Sequence, residues 1–335
     1  NVLHLIALNL ASVALVGCAA WACLHGELSL WMFLAIALFS FTLFGSVERV
    51  NDSAHMLGDL NDVLDRLEAI ERAPFIDEDG RDVALERFDV EFENVAFSYG
   101  EGAEARRVLH DVSFAIPEGT TCAIVGPSGS GKTTLVRLLA RFWDVGEGRI
   151  TLGGVDVRDW KMDDLLARFS MVFQGVYLFD DTIENNIKFG RPDASHEDVV
   201  KAAKRACCHE FIESLPQGYA TRLGEGGAAV SGGERQRISI ARAILKDAPI
   251  VMLDEATAYT DPENEAVIEQ AVGRLVAGKT LVVVAHRLST VVDADKIVVV
   301  RDGRIEAEGT HDELMAACPL YADMYRAHME SKDAA

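Results

Sequence analysis

Charge is absent from long stretches at the start of the chain and then becomes regular. Residues 1–26 carry no Asp, Glu, Lys or Arg, Glu27 is the first, and residues 28–47 again carry none. Each run meets the roughly 20 residues that a helix needs to cross hydrocarbon, so the pattern predicts two membrane spans. Only His25, Gly26, Glu27, Leu28 and Ser29 separate their cores, which forces a tight hairpin. Trp21 and Trp31 flank that turn, where interfacial aromatics belong, so both helices turn at one membrane face. From Glu48 to Arg72 charged residues surround Val50, Leu57, Leu60, Val63, Leu64, Leu67 and Ile70, a spacing of threes, fours and sevens that marks an amphipathic helix. It extends the second span by roughly 35 Å at 1.5 Å per residue, and Pro74 ends it. A solvated coiled-coil stalk is the alternative for this segment. Residues 75–87 are acidic and read as a linker.

After Phe88 the pattern shortens. Alternating strands are predicted over Val90 to Phe97, Val112 to Ile116 and Thr121 to Val125, separated by glycine-containing turns. A helical pattern follows from Thr134 to Phe142. Val251 to Leu253 and Leu281 to Ala285 are continuous apolar runs bounded by polar residues, as expected of central parallel strands covered on both faces. The fold class is therefore α/β, a doubly wound P-loop fold, preceded by an α-helical transmembrane hairpin. The predicted organisation is residues 1–74 as membrane hairpin with its extension, 75–87 as linker, 88–331 as the α/β domain and 332–335 as a tail.

Composition narrows the partners. The 335 residues suit about two domains. A formal charge of -21, from 53 acidic against 32 basic residues, opposes a phosphate backbone, so nucleic acid is excluded as a partner. The six cysteines lack metal-site spacing and disulfide density and read as reduced thiols. The first residue is Asn1 and lies already inside an apolar stretch, so the natural chain is expected to extend upstream.

The chemistry concentrates in two places. Gly126, Pro127, Ser128, Gly129, Ser130, Gly131, Lys132 and Thr133 follow an apolar strand, and Thr134 opens the helical pattern, which is the context a phosphate-cradling loop requires. Glycines let backbone N–H groups face the phosphates, the helix start adds partial positive charge, Lys132 can reach the β and γ phosphates, and the Thr133 hydroxyl suits Mg²⁺. Asp254 and Glu255 end the run from Ile250. An acid there needs a cation or a task, Mg²⁺ for Asp254 and water activation for Glu255, or else caps the following turn.

Ser231, Gly232, Gly233, Glu234, Arg235, Gln236 and Arg237 resemble the signature motif of ABC ATPases. The resemblance implies ATP and Mg²⁺ as cofactors, Tyr99 of Phe-Ser-Tyr as the adenine-stacking aromatic, and functional roles for Gln174 in Val-Phe-Gln, Asp261 after the acid pair, and His286 in Ala-His-Arg-Leu-Ser. Gln174 would reach Mg²⁺ or the attacking water, and His286 would donate to the γ phosphate. It also implies that Ser231, Gly232, Gly233 and Glu234 serve nucleotide held by a second ABC half, as a homodimer or heterodimer. Gly224 to Gly227 and the fused spans are similar to the exporter-type half-transporter, of which this chain would be a C-terminal part, holding the last two transmembrane helices.

The expected function is ATP hydrolysis coupled to movement of a substrate across the cytoplasmic membrane, with membrane lipid around the spans and the nucleotide-binding domain on the cytoplasmic side. Export of a lipid, peptide or drug-like molecule is the first expectation. Two departures stand out: Val230 replaces a leucine, and Ala258-Tyr259-Thr260-Asp261 replaces Ser-Ala-Leu-Asp. The second is similar to a branch that handles siderophores, which makes metal-chelate transport the alternative. A soluble mechanical ABC ATPase stands behind both, because the spans and the acidic balance oppose it.

Overall fold

A computed structural model describes residues 2–72, 80–100, 105–173, 175–254, 262–285 and 288–333, with the backbone alone at 2–5, 8, 41, 43–55, 262–264, 289 and 331–333. The chain divides into two compact units, Asn1–Phe75 and Ile76–Ala335.

The first unit contains α1 (Val2–Leu24) and α2 (Leu30–Glu71). Ser29 caps α2 by accepting from the Met32 amide at 3.3 Å. The second apolar run and the amphipathic segment are one unbroken helix of 42 residues. Ser12 and Ser40 meet between the two helices, both buried, with their hydroxyls 3.1 Å apart. Leu10, Val13, Trp31, Leu38 and Phe39 point outward. Polar atoms inside and large apolar side chains outside invert the usual globular arrangement. Among the described residues no helix is long and apolar enough to cross a membrane, so the expected spans rest on the sequence pattern.

The second unit runs β1 (Val90–Tyr99), β2 (Arg106–Ile116), β3 (Thr121–Val125), α3 (Lys132–Leu139), β4 (Glu147–Leu152), β5 (Val155–Asp156), α4 (Met162–Ala167) and β6 (Phe169–Val172). Helices α5 (Ile183–Lys188), α6 (His196–Arg205), α7 (His209–Ser214) and α8 (Gly232–Lys246) follow. The chain then closes with β7 (Ile250–Asp254), α9 (Pro262–Val276), β8 (Thr280–Val284), β9 (Lys296–Arg301), β10 (Arg304–Gly309), α10 (His311–Ala317) and α11 (Pro319–Asp333). One sheet has the order β2-β1-β4-β5 and is antiparallel. The other has the order β10-β9-β3-β8-β7-β6 and is parallel except at its β10 edge. The apolar runs read as central parallel strands are β7 and β8, whose side chains are nearly all buried.

Three apolar cores result. One joins the antiparallel sheet to α3 and the middle strands, with Trp160 and Phe169 fully buried in it. A second holds the helical subdomain, α5 to α9, against the other face of β7. A third lies under α10 and α11. The six cysteines are unbridged, and burial pushes the Cys122 and Cys208 thiols up to about 12.

Three expectations shift. Strand β2 begins six residues before Val112, because Arg106, Arg107 and Leu109 pair with the far end of β1. Helix α3 starts at Lys132 and stops at Leu139 rather than Phe142, because Arg141 takes a left-handed φ of 54° that no helix continues through. Residues 80–87, read as linker, lie along the α/β unit. The Arg81 amide donates to the Asp159 carbonyl at 2.9 Å, the Lys161 amide donates to the Arg81 carbonyl at 3.2 Å, and Val83 and Leu85 pack on the first core.

Candidate nucleotide site

Strand β3 delivers the chain into the glycine-rich loop at the carboxyl edge of the parallel sheet, and α3 leaves from it. Two glycines there are required by geometry. Gly126 has φ 150°, and a Cβ on it would strike the Val300 carbonyl oxygen; Gly131 has φ 104°, and its Cβ would come 2.8 Å from Leu109 Cδ2. The Gly303 amide, donating to the Ser130 carbonyl at 3.1 Å, ties the loop to the β9–β10 turn.

Lys132 is only 5% exposed and curls back over this loop, its Nζ donating to the carbonyls of Gly126 and Pro127 at 2.9 Å each. A cation is thereby held against the loop that presents the backbone amides. Ser130 Oγ is buried with no hydrogen-bond partner among the described residues, which a triphosphate oxygen would satisfy. Thr133 Oγ1 lies 3.5 Å from Asp254 Oδ1, across from the end of β7. A hydroxyl beside a carboxylate is the hard-oxygen pair that suits Mg²⁺. Tyr99, at the end of β1, is half-buried, with its hydroxyl 3.2 Å from Thr134 Oγ1. Pro127, Ser128 and Gly129 complete the loop, Gly129 at φ 77°.

At the far side of the second core, Ser231 caps α8 in a reciprocal box. Its amide donates to Glu234 Oε2 at 2.7 Å, and the Glu234 amide donates back to Ser231 Oγ at 3.3 Å. Gly233 is buried, whereas among the described residues a Cβ on Gly232 would meet only Arg235 Nη2 at 3.9 Å. Packing against the described residues therefore does not demand glycine at 232.

Gln174, Glu255, Asp261 and His286 lie outside the described residues. Strands β6, β7 and β8 lead toward Gln174, Glu255 and His286, and with β3 they are parallel neighbours that end at one edge of the sheet. Two features of the site were not read from the sequence. One is the bond between Lys132 and the loop carbonyls. The other is Trp143, whose ring stands edge-on to Tyr99; a tryptophan just past the loop helix was the signal available.

A glycine loop between strand and helix, a lysine folded over it, and a threonine–aspartate pair across from it define a P-loop nucleotide-binding domain. Residues 109–258 match the ABC transporter family model. The chain is 43% identical over 310 residues to a candidate multidrug export ATP-binding/permease protein of Bacillus subtilis, YgaD, covering 92% of this chain and 53% of that protein. It is 49% identical over 240 residues to an ATP-dependent lipid A-core flippase of Legionella pneumophila, covering 72% of this chain and 40% of the flippase. Among solved structures it is similar to a bacterial Atm1-family ABC exporter with ATP bound, with 35% identity and a TM-score of 0.73 over 96% of this chain and 56% of that one. The chain belongs to the ABC transporter family, and its α/β unit carries that family's ATP-binding domain. It spans about half the length of the curated relatives it matches.

Proposed function

We propose that the chain is the ATP-hydrolysing part of an exporter-type ABC transporter, which works as a dimer with a second ABC half and moves a lipid, peptide or drug-like molecule across the cytoplasmic membrane. The observation that carries this reading is the pairing of a complete phosphate cradle, Gly126 to Thr134 with Asp254, with a signature helix capped by its own Ser231 and Glu234. The relatives named as exporters and flippases support the direction and the substrate class.

The cradle fits MgATP. Backbone amides of Gly129 to Thr133 and the Lys132 ammonium bind the β and γ phosphates, and the Tyr99 ring takes the adenine face. Thr133 and Asp254, with Gln174 by the motif, would hold Mg²⁺, which would neutralise phosphate charge there. Glu255 accepts a proton from the attacking water, and His286 donates to the γ-phosphate oxygen as charge builds there. Ser231, Gly232 and Gly233 receive the partner's nucleotide, so ATP closes the dimer and hydrolysis releases it, and the sequence motif assigns Asp261 to the same function.

The hairpin of α1 and α2 is the membrane part of the chain. Its buried serine pair and outward-facing leucines fit helices packed in lipid, where small polar residues join helices and large apolar ones meet the acyl chains. The α/β unit is then cytoplasmic.

The test reconstitutes the full-length protein, alone and with a neighbouring ABC half, in vesicles with MgATP. Movement of a fluorescent phospholipid, an amphipathic dye and an iron-loaded chelate is followed separately. ATP-dependent movement of lipid or dye that stimulates hydrolysis is the expected result. Movement of the chelate alone would overturn it in favour of the siderophore alternative, and hydrolysis with no movement of any of the three would overturn the transport reading.

A further inference from the structure

The base platform is built more tightly than one aromatic side chain requires. The Tyr99 ring stands perpendicular to two neighbours, Phe97 at 4.9 Å and 87° and Trp143 at 5.2 Å and 90°. Both are T-shaped arrangements, the geometry that an aromatic quadrupole favours. The Tyr99 hydroxyl is fixed a third time, at 3.2 Å from Thr134 Oγ1 on the helix that starts at Lys132.

Trp143 reaches this position through a costly device. After α3 the chain reverses at Arg141, whose φ of 54° is unfavourable for a residue with a Cβ. The Arg141 side chain is 4% exposed and pins the reversal, its Nε donating to Asp144 Oδ1 at 2.8 Å and its Nη1 donating to the Trp160 carbonyl at 3.1 Å. The Gly146 amide then donates to the Ala96 carbonyl at 3.1 Å, closing the segment back onto β1. For all this, Trp143 remains 40% exposed. Of its aromatic neighbours Tyr99 is the nearest, at 5.2 Å between ring centroids against 6.3 Å for Phe97 and 6.5 Å for Phe142.

We infer that Trp143 and Thr134 are positioning residues that hold the Tyr99 ring at a fixed angle for stacking on the base of the nucleotide, so that base recognition is tied to the phosphate-binding helix. The inference rests on the proposed role of Tyr99 as the base-stacking residue. An aromatic side chain free to turn would lose part of its stacking energy to ordering, and two edge contacts with one hydrogen bond remove that loss beforehand.

The experiment uses the full chain and two probes, MgATP and magnesium tripolyphosphate, the second of which has phosphates and no base. Trp143→Ala should weaken MgATP about two- to twelvefold, the equivalent of about 0.5–1.5 kcal/mol for one aromatic pair, and leave tripolyphosphate within twofold of the parent. Trp143→Phe, which keeps an edge, should recover most of the affinity, and Thr134→Val should weaken MgATP through the lost hydroxyl. Equal loss of both probes in Trp143→Ala would mean general damage to the loop and would overturn the inference, as would no loss of either. Tyr99→Ala separates the two layers of the argument. If it leaves MgATP affinity unchanged, the stacking role itself falls; if it weakens MgATP while Trp143→Ala does not, only the positioning role falls. The parent protein supplies a second measurement that needs no mutant fold. Its tryptophan emission should change with MgATP and stay constant with tripolyphosphate, and that change should vanish in Trp143→Phe. An emission change that survives Trp143→Phe would refute it.

Discussion

Replacing Lys132 by alanine separates two jobs of one ammonium, one proposed and one observed. The first, on the proposed reading, is to face phosphate oxygens; the second is to clasp the loop, through the carbonyls of Gly126 and Pro127 at 2.9 Å each. Hydrogen bonds to charged groups contribute about 1.5–3 kcal/mol, and because Lys132 is 5% exposed its interactions escape solvent screening. Loss of one such bond to phosphate alone weakens MgATP by roughly 13- to 160-fold. Without nucleotide the balance is different. The two carbonyls lose a donor, but a nearly buried cation and its desolvation cost disappear with it, and the two contributions oppose each other. Nucleotide affinity should therefore fall by at least tenfold while the melting temperature without ligand changes by only about 2–4 °C, the shift expected of about 1 kcal/mol in a domain of this size. Titration calorimetry of both proteins with MgATP decides it. A dissociation constant within twofold of the parent would refute the assignment of Lys132, however the melting temperature behaves.

Gly126→Ala should prevent the loop from closing, since the new Cβ meets the Val300 carbonyl, and calorimetry should find MgATP binding lost together with several degrees of thermal stability. Glu255→Gln should retain MgATP affinity and lose turnover, so that sedimentation with ATP finds a persistent dimer; hydrolysis at the parent rate would remove Glu255 from the base role. The hydrogen bond from Lys188, helped by a weaker one from His196 and opposed by partial burial, holds the Glu184 carboxyl below its ordinary 4.5. A lowered folded pKa gives stability that is present above about 4.5 and lost as pH falls through the folded value. Acid unfolding followed by circular dichroism should thus show a shallower loss below pH 4.5 in Glu184→Gln than in the parent, and identical curves would contradict the contribution of this carboxylate.

What could be read from the sequence depended on whether a local pattern or a distant contact fixed the structure. Strand β3 was legible to the residue because Thr121 to Val125 is an apolar run closed by Gly126. The phosphate loop was equally plain, since its glycines answer to a conformation that few other residues adopt. The start of β2 was hidden because Arg106, Arg107 and His110 look like loop residues until Arg106 and Arg107 are paired against Tyr99 and Ser98. The segment from Gly80 to Arg87 looked like linker by charge, yet Val83 and Leu85 find the core and Lys161 pairs with Asp82 at 2.8 Å. Trp143 falls just past the predicted helix, which ended at Phe142, and its sequence neighbourhood assigned it no role. Its place beside Tyr99 depends on a left-handed residue and on a buried arginine whose partners, Asp144 and the Trp160 carbonyl, include one that no short window contains. Backbone propensity and burial pattern carry across a few residues, whereas the fine geometry of a binding platform is set by whichever elements the topology brings together.

The two halves of the proposed chemistry stand on different supports. Helix α3, which begins at Lys132, packs through Leu135, Leu138 and Leu139 into the first core; α8, which begins beyond Ser231, packs through Ile238, Ile240 and Ile244 into the second. At Ser231 the polar atoms satisfy each other in a capping box, so the helix start is ordered without any ligand. Gly232 beside it leaves the backbone open among the described residues, with only Arg235 Nη2 of these near the place of a Cβ. A rigid helix start with an uncovered backbone binds anions at little reorganisation cost, provided that the anion arrives from outside. On the proposed reading the partner's nucleotide is that anion. The P-loop then holds ATP whether or not the partner is present, while the capped start of α8 contributes only when two ATP-binding domains face each other. Closure of the dimer becomes a property of the γ phosphate, because removing it takes away the charge that α8 was ordered to meet. On that reading the two motifs of one domain need no internal signal between them, since each half would sense the nucleotide of the other.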